Sequence, residues 1–383
     1  MIIGYDGKRA FQNTTGLGNY SRSLVAILSS QFPENRYLLF APRQTDLFNI
    51  ALHPGVQAFT PQTKFYKRFP SLWRRRAVVA DVLKSGTDIY HGLSNELPFG
   101  FEKSKIKTVV TIHDLIFERF PETYNFDERY THRWKIKHAC KTADAVIAIS
   151  QQTKNDLVDI YRVSPKKIFT CYQSCNPIFE RKCTPEEKVV IREKYNLPER
   201  YFLFVSSIAP RKNLIAICKA MVLLKGKLDI PLVVLGNGKK EKEVVKRFML
   251  DNGLANKITF LNDLPKAKDL AFTSALDFPA IYQQAVALIY PSIFEGFGLP
   301  VLEALWSELP VICSNTSSLP EAGGDAALYF SPADHVQLAD HMLNVASNEK
   351  LTEELQSKGL KHAQQFDSKN YANNIMEVYK SLL

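Results

Sequence analysis

YFLFVSSIAPRKNLIAICKAM, residues 201–221, opens with an apolar run of strand type. It passes through a loop holding Arg211 and Lys212 and continues as an apolar helix. The same order begins the chain, where MIIGYD (1–6) leads through a longer loop to GLGNYSRSLVAIL (16–28). A strand, a loop and a helix at the start of each half predict two doubly wound α/β domains. Further apolar runs alternate with longer amphipathic stretches. In the first half they are RYLLFA (36–41), TDIYHG (87–92), KTVVTIHD (107–114), DAVIAIS (144–150) and KIFTCY (167–172). In the second they are PLVVLG (231–236), ITFLN (258–262), AVALIYPS (285–292), PVICSN (310–315) and AALYF (326–330).

A chain of 383 residues exceeds one ordinary core, so two domains are expected on length alone. SCNPIFERKCTPEEK (174–188) combines turn chemistry with charge and reads as the linker. The expected domains are therefore 1–178 and 179–366. The closing stretch 367–383 is amphipathic, with Tyr371, Ile375, Val378 and Tyr379 near one face, and periodicity lets it pack on either domain.

Hydrophobic residues at 45% and charged residues at 23% are ordinary for a soluble globular protein. The net charge of +10 favours an anionic partner such as nucleotide phosphates, acidic glycans, a phospholipid surface or nucleic acid. The first residues read as strand, without a basic leader, and no apolar run approaches membrane-spanning length, so a cytoplasmic location is expected. The six cysteines lack C-x-x-C spacing and predict reduced structural thiols rather than a zinc site.

Open parallel sheets bind ligands beyond the carboxyl ends of their strands. Gly16 and Gly18 precede a helix whose first amides suit an anion. The loop GKRAFQNTT separates them from the first strand, which argues against a nicotinamide fingerprint. His113 ends a strand in TIHDL (111–115), and His91, Asn95 and Glu96 form a second strand-end patch of candidate acceptor contacts. Arg211 and Lys212 beside helix-start amides suit a diphosphate. In FEGFGLPVLEAL (294–305), Pro300 predicts a helix start, leaving Glu295 in a glycine-bearing loop and Glu303 in the first helical turn. There an acid also has a structural reason, since it complements the helix dipole. Ser318 and Glu321 read as a capping box, with Asn315 and Thr316 as candidate ligand contacts. YKRFPSLWRRRAVVADVLK (66–84) interleaves basic and aromatic residues, as an amphipathic helix at an anionic membrane does. No nucleic-acid motif accompanies it, so nucleic acid is not an expected partner.

Taken in order, TGLGNYS, TIHDL, PRKNL, the Glu295-to-Glu303 run after YPS and SSLPEAGGDAALYF resemble the retaining glycosyltransferases of family 4. Among these the wording is most similar to bacterial mannosyltransferase-like members that build cell-surface polysaccharides. The resemblance implies the GT-B fold, two Rossmann-like domains facing across a cleft, with the closing helix returning to the first. It implies a metal-independent transferase with no cofactor, moving a hexose from a GDP- or UDP-sugar to a glycan or lipid-linked acceptor at the inner membrane face. Arg211 and Lys212 would hold the diphosphate and Glu303 the ribose. Glu295 and the backbone of Phe297, Gly298 and Leu299 would hold the transferred sugar and diphosphate. Gly16 and Gly18 would lie near the phosphates, His113 near the sugar, and the catalytic set would be Glu295, Lys212 and His113. Two departures stand out. Ser206 and Ser207 occupy the place where many members carry an arginine, and residues 262–285 exceed the usual base-contacting loop. A nucleotide-sugar 2-epimerase of the same fold, or a non-catalytic glycan- or membrane-binding protein, are the competing readings.

Overall fold

The computed structural model describes all 383 residues. They divide into a first unit, Met1–Gln173 with Ser368–Leu383, and a second unit, Ser174–Asp367. The division falls at 173/174 rather than 178/179. Phe179 is buried against Tyr282 of the second unit, with ring centroids 5.0 Å apart, and draws the preceding turn with it.

The first unit is built on seven strands: β1 (Ile2–Asp6), β2 (Arg36–Phe40), β3 (Val56–Phe59), β4 (Ile89–Gly92), β5 (Lys107–Ile112), β6 (Ala145–Ala148) and β7 (Ile168–Thr170). They form one parallel sheet in the order β3-β2-β1-β4-β5-β6-β7. The second unit has six: β8 (Phe202–Val205), β9 (Leu232–Leu235), β10 (Ile258–Phe260), β11 (Ala287–Tyr290), β12 (Val311–Ser314) and β13 (Ala327–Phe330), in the parallel order β10-β9-β8-β11-β12-β13. Strands β4, β6, β8, β9, β11 and β12 are buried at every residue. Parallel strands covered on both faces read as continuous apolar runs, which is why they stood out. Sequence reading missed β3, an edge strand of which only Val56 is buried.

Six helices matter below: α1 (Gly16–Gln31), α2 (Phe126–Thr142), α3 (Leu214–Leu223), α4 (Phe278–Tyr282), α5 (Leu299–Trp306) and α6 (Ser368–Lys380). Helix α6 buries Tyr371, Ile375, Val378 and Tyr379 in the same core as Leu24 and Leu28 of α1 and Ile3 and Tyr5 of β1. The closing segment thus completes the first unit. All six cysteines are buried free thiols.

In each sheet one pair of neighbours marks where the chain order reverses. In the first, β1 lies between β2 and β4; in the second, β8 lies between β9 and β11. Connections from such a pair leave in opposite directions and open a crevice at the carboxyl ends. The candidate residues concentrate at these two points.

A buried polar chain fastens α6 to the first sheet. His91 on β4 meets the Tyr379 hydroxyl through Nδ1 at 2.7 Å and the Thr111 hydroxyl through Nε2 at 2.8 Å. Tyr20 of α1 joins at Thr111, again at 2.8 Å. Removing one member leaves a buried polar group without its partner, which costs about 1–3 kcal/mol. Tyr379→Phe is therefore expected to destabilise the first unit by that amount in urea unfolding. An unchanged midpoint would mean that the bond to His91 contributes nothing.

Candidate active site

In the second unit the chain leaves β8 through Ser206–Ala209, makes one tight turn at Pro210–Lys212 and enters α3. Asn213 joins turn to helix in the left-handed conformation (φ 55°), and its side-chain amide donates to the carbonyls of Pro291 and Pro332 at 3.2 and 2.9 Å. The turn is thereby tied to the end of β11. Lys212 Nζ lies 2.5 Å from Glu295 Oε1 and 3.3 Å from the Tyr290 hydroxyl, which itself donates to Glu295 at 3.2 Å. Arg211 stands 3.3 Å from the same carboxylate oxygen and donates to the Phe294 carbonyl. Both Lys212 and Glu295 are more than nine-tenths buried. Burial alone would raise the Glu295 carboxyl. Lys212 and then Arg211 outweigh it and hold the group below its ordinary value, so it is a carboxylate at neutral pH.

The loop carrying Glu295 is pinned from the other side. Its amide donates to Ser317 Oγ at 2.9 Å, and Ser318 Oγ donates to the carbonyls of Glu295 and Phe297 at 3.0 and 2.7 Å. Thr316 Oγ1 donates to the Ile293 carbonyl at 2.9 Å. The expected capping box at Ser318 is therefore absent: that hydroxyl makes no cap and holds the loop instead. Gly298 adopts φ 124°, and a Cβ there would press on Leu319 at 3.0 Å, so this turn requires glycine. Phe297 turns its ring into the interior against Phe366, leaving its backbone to the loop.

Helix α5 begins at Leu299, one residue before Pro300, and Glu303 falls beyond its first turn. The helix-dipole account of Glu303 accordingly fails. Its carboxylate accepts a hydrogen bond of 2.7 Å from the Tyr282 hydroxyl. Desolvation raises the carboxyl to about 7, and the Tyr282 bond offsets part of the rise. Tyr282 sits on α4, inside the long 262–285 stretch, and sequence reading gave it no role. Tyr290 and Ser317 were also missed, and Ser318 was read only as a helix cap. Only the YPS and SSLPE wording hinted at them.

In the first unit, His113 lies just past β5 and is buried. Its amide donates to Asn95 Oδ1 at 2.9 Å, and Nε2 donates to the Leu93 carbonyl at 2.9 Å. A carbonyl can only accept, so the proton sits on Nε2 and Nδ1 is an acceptor. Burial lowers its pKa to about 4, which keeps the ring neutral. His91 is a correction. Both its nitrogens are taken up in the core and burial lowers its pKa to about 3, so it is a strut and not an acceptor contact. Asn95, in the left-handed region at φ 61°, positions His113. Glu96 pairs with Arg74 and, at 3.1 Å, with Lys135; Arg74 also pairs with Asp6 at the end of β1. At the start of α1, Gly16 faces open space. A Cβ on Gly18 would collide with the Asn13 carbonyl, so the loop itself requires a glycine there.

The 66–84 run is no continuous helix. It breaks once, at Phe69: a short helix Lys64–Arg68 precedes the break, and Pro70–Leu72, a widened π-type stretch Trp73–Ala77 and Val78–Lys84 follow it as one helical run. Trp73 is buried, donating to Asp81 at 2.7 Å, and Arg74 is committed to Asp6 and Glu96. Phe65, Phe69 and Leu72 remain exposed beside Lys67, Arg68, Arg75 and Arg76. No helix is long and apolar enough to cross a membrane.

Residues 16–176 match the family model of Glycosyltransferase Family 4, and residues 187–362 match that of Glycosyl transferases group 1. The chain belongs to the GT-B glycosyltransferases of this family. It is 29% identical over 298 residues to an O-antigen chain mannosyltransferase B of Escherichia coli, covering 77% of this chain and 74% of that one. It is also 29% identical over 285 residues to a serotype-specific mannosyltransferase of Escherichia coli, covering 72% of this chain but only 34% of that longer protein. Among solved structures, Anabaena HepE in complex with UDP and glucose superposes with a TM-score of 0.73 at 18% identity, covering 99% of each chain. At that identity the likeness speaks for the fold.

The Glu303 carboxyl sets a pH dependence. Its folded value, about 7, lies above the ordinary 4.5, so the protonated form is the one favoured by folding. That contribution is complete below about 4.5 and is lost as pH rises to about 7, amounting to at most ~3 kcal/mol. Thermal unfolding of the second unit should therefore weaken across this window in the wild type relative to Glu303→Gln. Parallel pH profiles for the two proteins would show that Glu303 is not perturbed.

Proposed function

We propose that this glycosyltransferase moves a hexose, mannose by preference, from a nucleoside-diphosphate sugar to a hydroxyl of a glycan or lipid-linked saccharide. The configuration at the sugar carbon is retained, and neither metal nor cofactor takes part. The observation that carries this reading is the cluster of Lys212 and Arg211 around Glu295 at the β8/β11 switch point. Mannose is favoured because the relatives reported above are an O-antigen chain mannosyltransferase and a serotype-specific mannosyltransferase, and the donor is read as a GDP- or UDP-sugar.

The two cations, already oriented by Glu295, Tyr290 and the Phe294 carbonyl, face the diphosphate and neutralise the charge that grows as the bond to the sugar breaks. Glu295 and the loop backbone at Phe297, Gly298 and Leu299 hold the transferred sugar. Glu303 takes the ribose hydroxyls. The acceptor oxygen bonds to the sugar carbon on the face from which the phosphate departs, and its proton passes to the leaving phosphate oxygen. No protein nucleophile is required. In the first unit the neutral His113 accepts a hydrogen bond from a sugar hydroxyl at Nδ1, while Asn95 and Glu96 order the acceptor side.

Lys212→Ala is expected to cost about 2–4 kcal/mol of transition-state stabilisation. The measurement is kcat/KM on folded protein with GDP-mannose and a mannose-terminated acceptor. Wild-type turnover in the variant would remove Lys212 from the mechanism, and conversion of the nucleotide sugar without acceptor would instead indicate an epimerase.

A lipid-linked acceptor calls for contact with an anionic membrane, and Phe65, Phe69 and Leu72 among exposed lysines and arginines are suited to it. The protein should float with phosphatidylglycerol vesicles at low salt, and Phe65→Ser/Phe69→Ser should abolish flotation. Flotation that survives both substitutions would assign the contact elsewhere.

A further inference from the structure

Helix α2 has a feature that the proposed transfer does not use. Phe126, Tyr130 and Trp134 recur every four residues and are 78%, 65% and 45% exposed. Its core face is Ile136, Ala139 and Cys140, so the three aromatics lie on the side turned from the sheet. Aromatic side chains this large are usually buried, and a contiguous exposed row marks a binding surface.

The row ends at a pocket. Phe99, anchored by its amide to the Arg75 carbonyl at 2.8 Å, packs on Trp134 with centroids 5.1 Å apart and on His138 at 3.9 Å. Asp6, Arg74, Glu96 and Lys135 line the same pocket. His138 Nε2 is buried there without a hydrogen-bond partner. Flat rings beside carboxylates, cations and an unpaired ring nitrogen suit a ligand with apolar faces and a hydroxylated rim. A pyranose is such a ligand. The pocket itself is about 20 Å³, room for a single hydroxyl rather than a ring, so the sugar rings lie on the exposed aromatics outside it.

We propose that Phe126, Tyr130 and Trp134 form a track along which successive sugar rings of an extended oligosaccharide acceptor stack, leading to the pocket at Phe99, His138 and Glu96. Four residues of helix advance about 6 Å, a spacing on the scale of one hexose in a chain. A lipid surface fits this face less well. Asp127 and Glu128 flank Phe126, and the exposed side of α2 intersperses charged residues with the three aromatics. The inference rests on the glycosyltransfer reading given above and adds that the acceptor is a chain held over several residues.

The test compares binding of α-linked mannobiose and mannotetraose to the full-length protein by titration calorimetry. The tetraose should bind at least tenfold tighter, and Phe126→Ala and Tyr130→Ala should each shrink that ratio severalfold. Both positions are exposed, and an unchanged melting temperature checks the fold. A wild-type ratio near one, or a ratio that both substitutions leave intact, overturns the track. Loss of vesicle flotation in these variants with an intact saccharide ratio overturns it in favour of a lipid face. Binding of GDP-mannose to the same samples separates the two readings. If the donor binds while saccharide affinity ignores length, the track alone fails. If neither GDP-mannose nor UDP-glucose binds, the transfer reading fails.

Discussion

Burial of Lys212 against Glu295 is the constraint around which the second unit is arranged. Removing two such ions from water costs several kcal/mol each, and the attraction between them offsets this only with good geometry and further hydrogen bonds. The fold supplies both. Asn213 ties the β8 turn to the end of β11, Tyr290 shares the carboxylate, and Ser317 and Ser318 fix the backbone on which Glu295 rides. The result is a charge pair whose position is set before any ligand arrives, and preorganised charge is what stabilises a developing anion most effectively.

The strands were legible because parallel sheets buried on both faces leave unbroken apolar runs, and the two strand–loop–helix openings exposed the doubling. The edge strand Val56–Phe59 left no such trace, because its burial is confined to one residue. At the site, Arg211, Lys212 and Glu295 could be picked out as charges in strand-end loops, and Glu303 only through the Glu295-to-Glu303 run of the family resemblance. Their supports could not. Tyr282 approaches Glu303 from a stretch that looked like an inserted loop, and Ser318 lay in a motif that also satisfies a helix cap. A capping box and a loop staple use the same residue types. Only the direction of the hydroxyl separates them, and sequence spacing does not carry that direction.

The first unit shows the same limit with histidine. His91 and His113 both follow apolar strand residues and look equivalent on paper. Pairing of β4 with β1 and β5 puts His91 inside the layer, where Tyr379, from the far end of the chain, closes over it. His113 stands one residue beyond the end of β5 and keeps one nitrogen as an acceptor. Both are neutral through burial, so neither can serve as a cationic partner for phosphate near pH 7. Around Glu96 the cations are Arg74 and Lys135, and their charge is answered by Asp6 and Glu96.

Glu295 and Glu303 also show why divergent pKa values need not mean acid–base catalysis. One carboxyl is held low by two cations and the other is raised to about 7 by desolvation, a separation that elsewhere distinguishes base from acid. Here the two groups belong to different tasks. Glu295 orients Lys212 and Arg211, and Glu303 is fixed to Tyr282 from a helix rather than from the same loop. A phosphate leaving group, moreover, gains little from a protein acid. It departs as a stable anion once its charge is neutralised, and it can collect the acceptor's proton itself. In the proposed transfer, cations held in place by Glu295 meet that demand directly, and the diphosphate can take the proton without a protein acid.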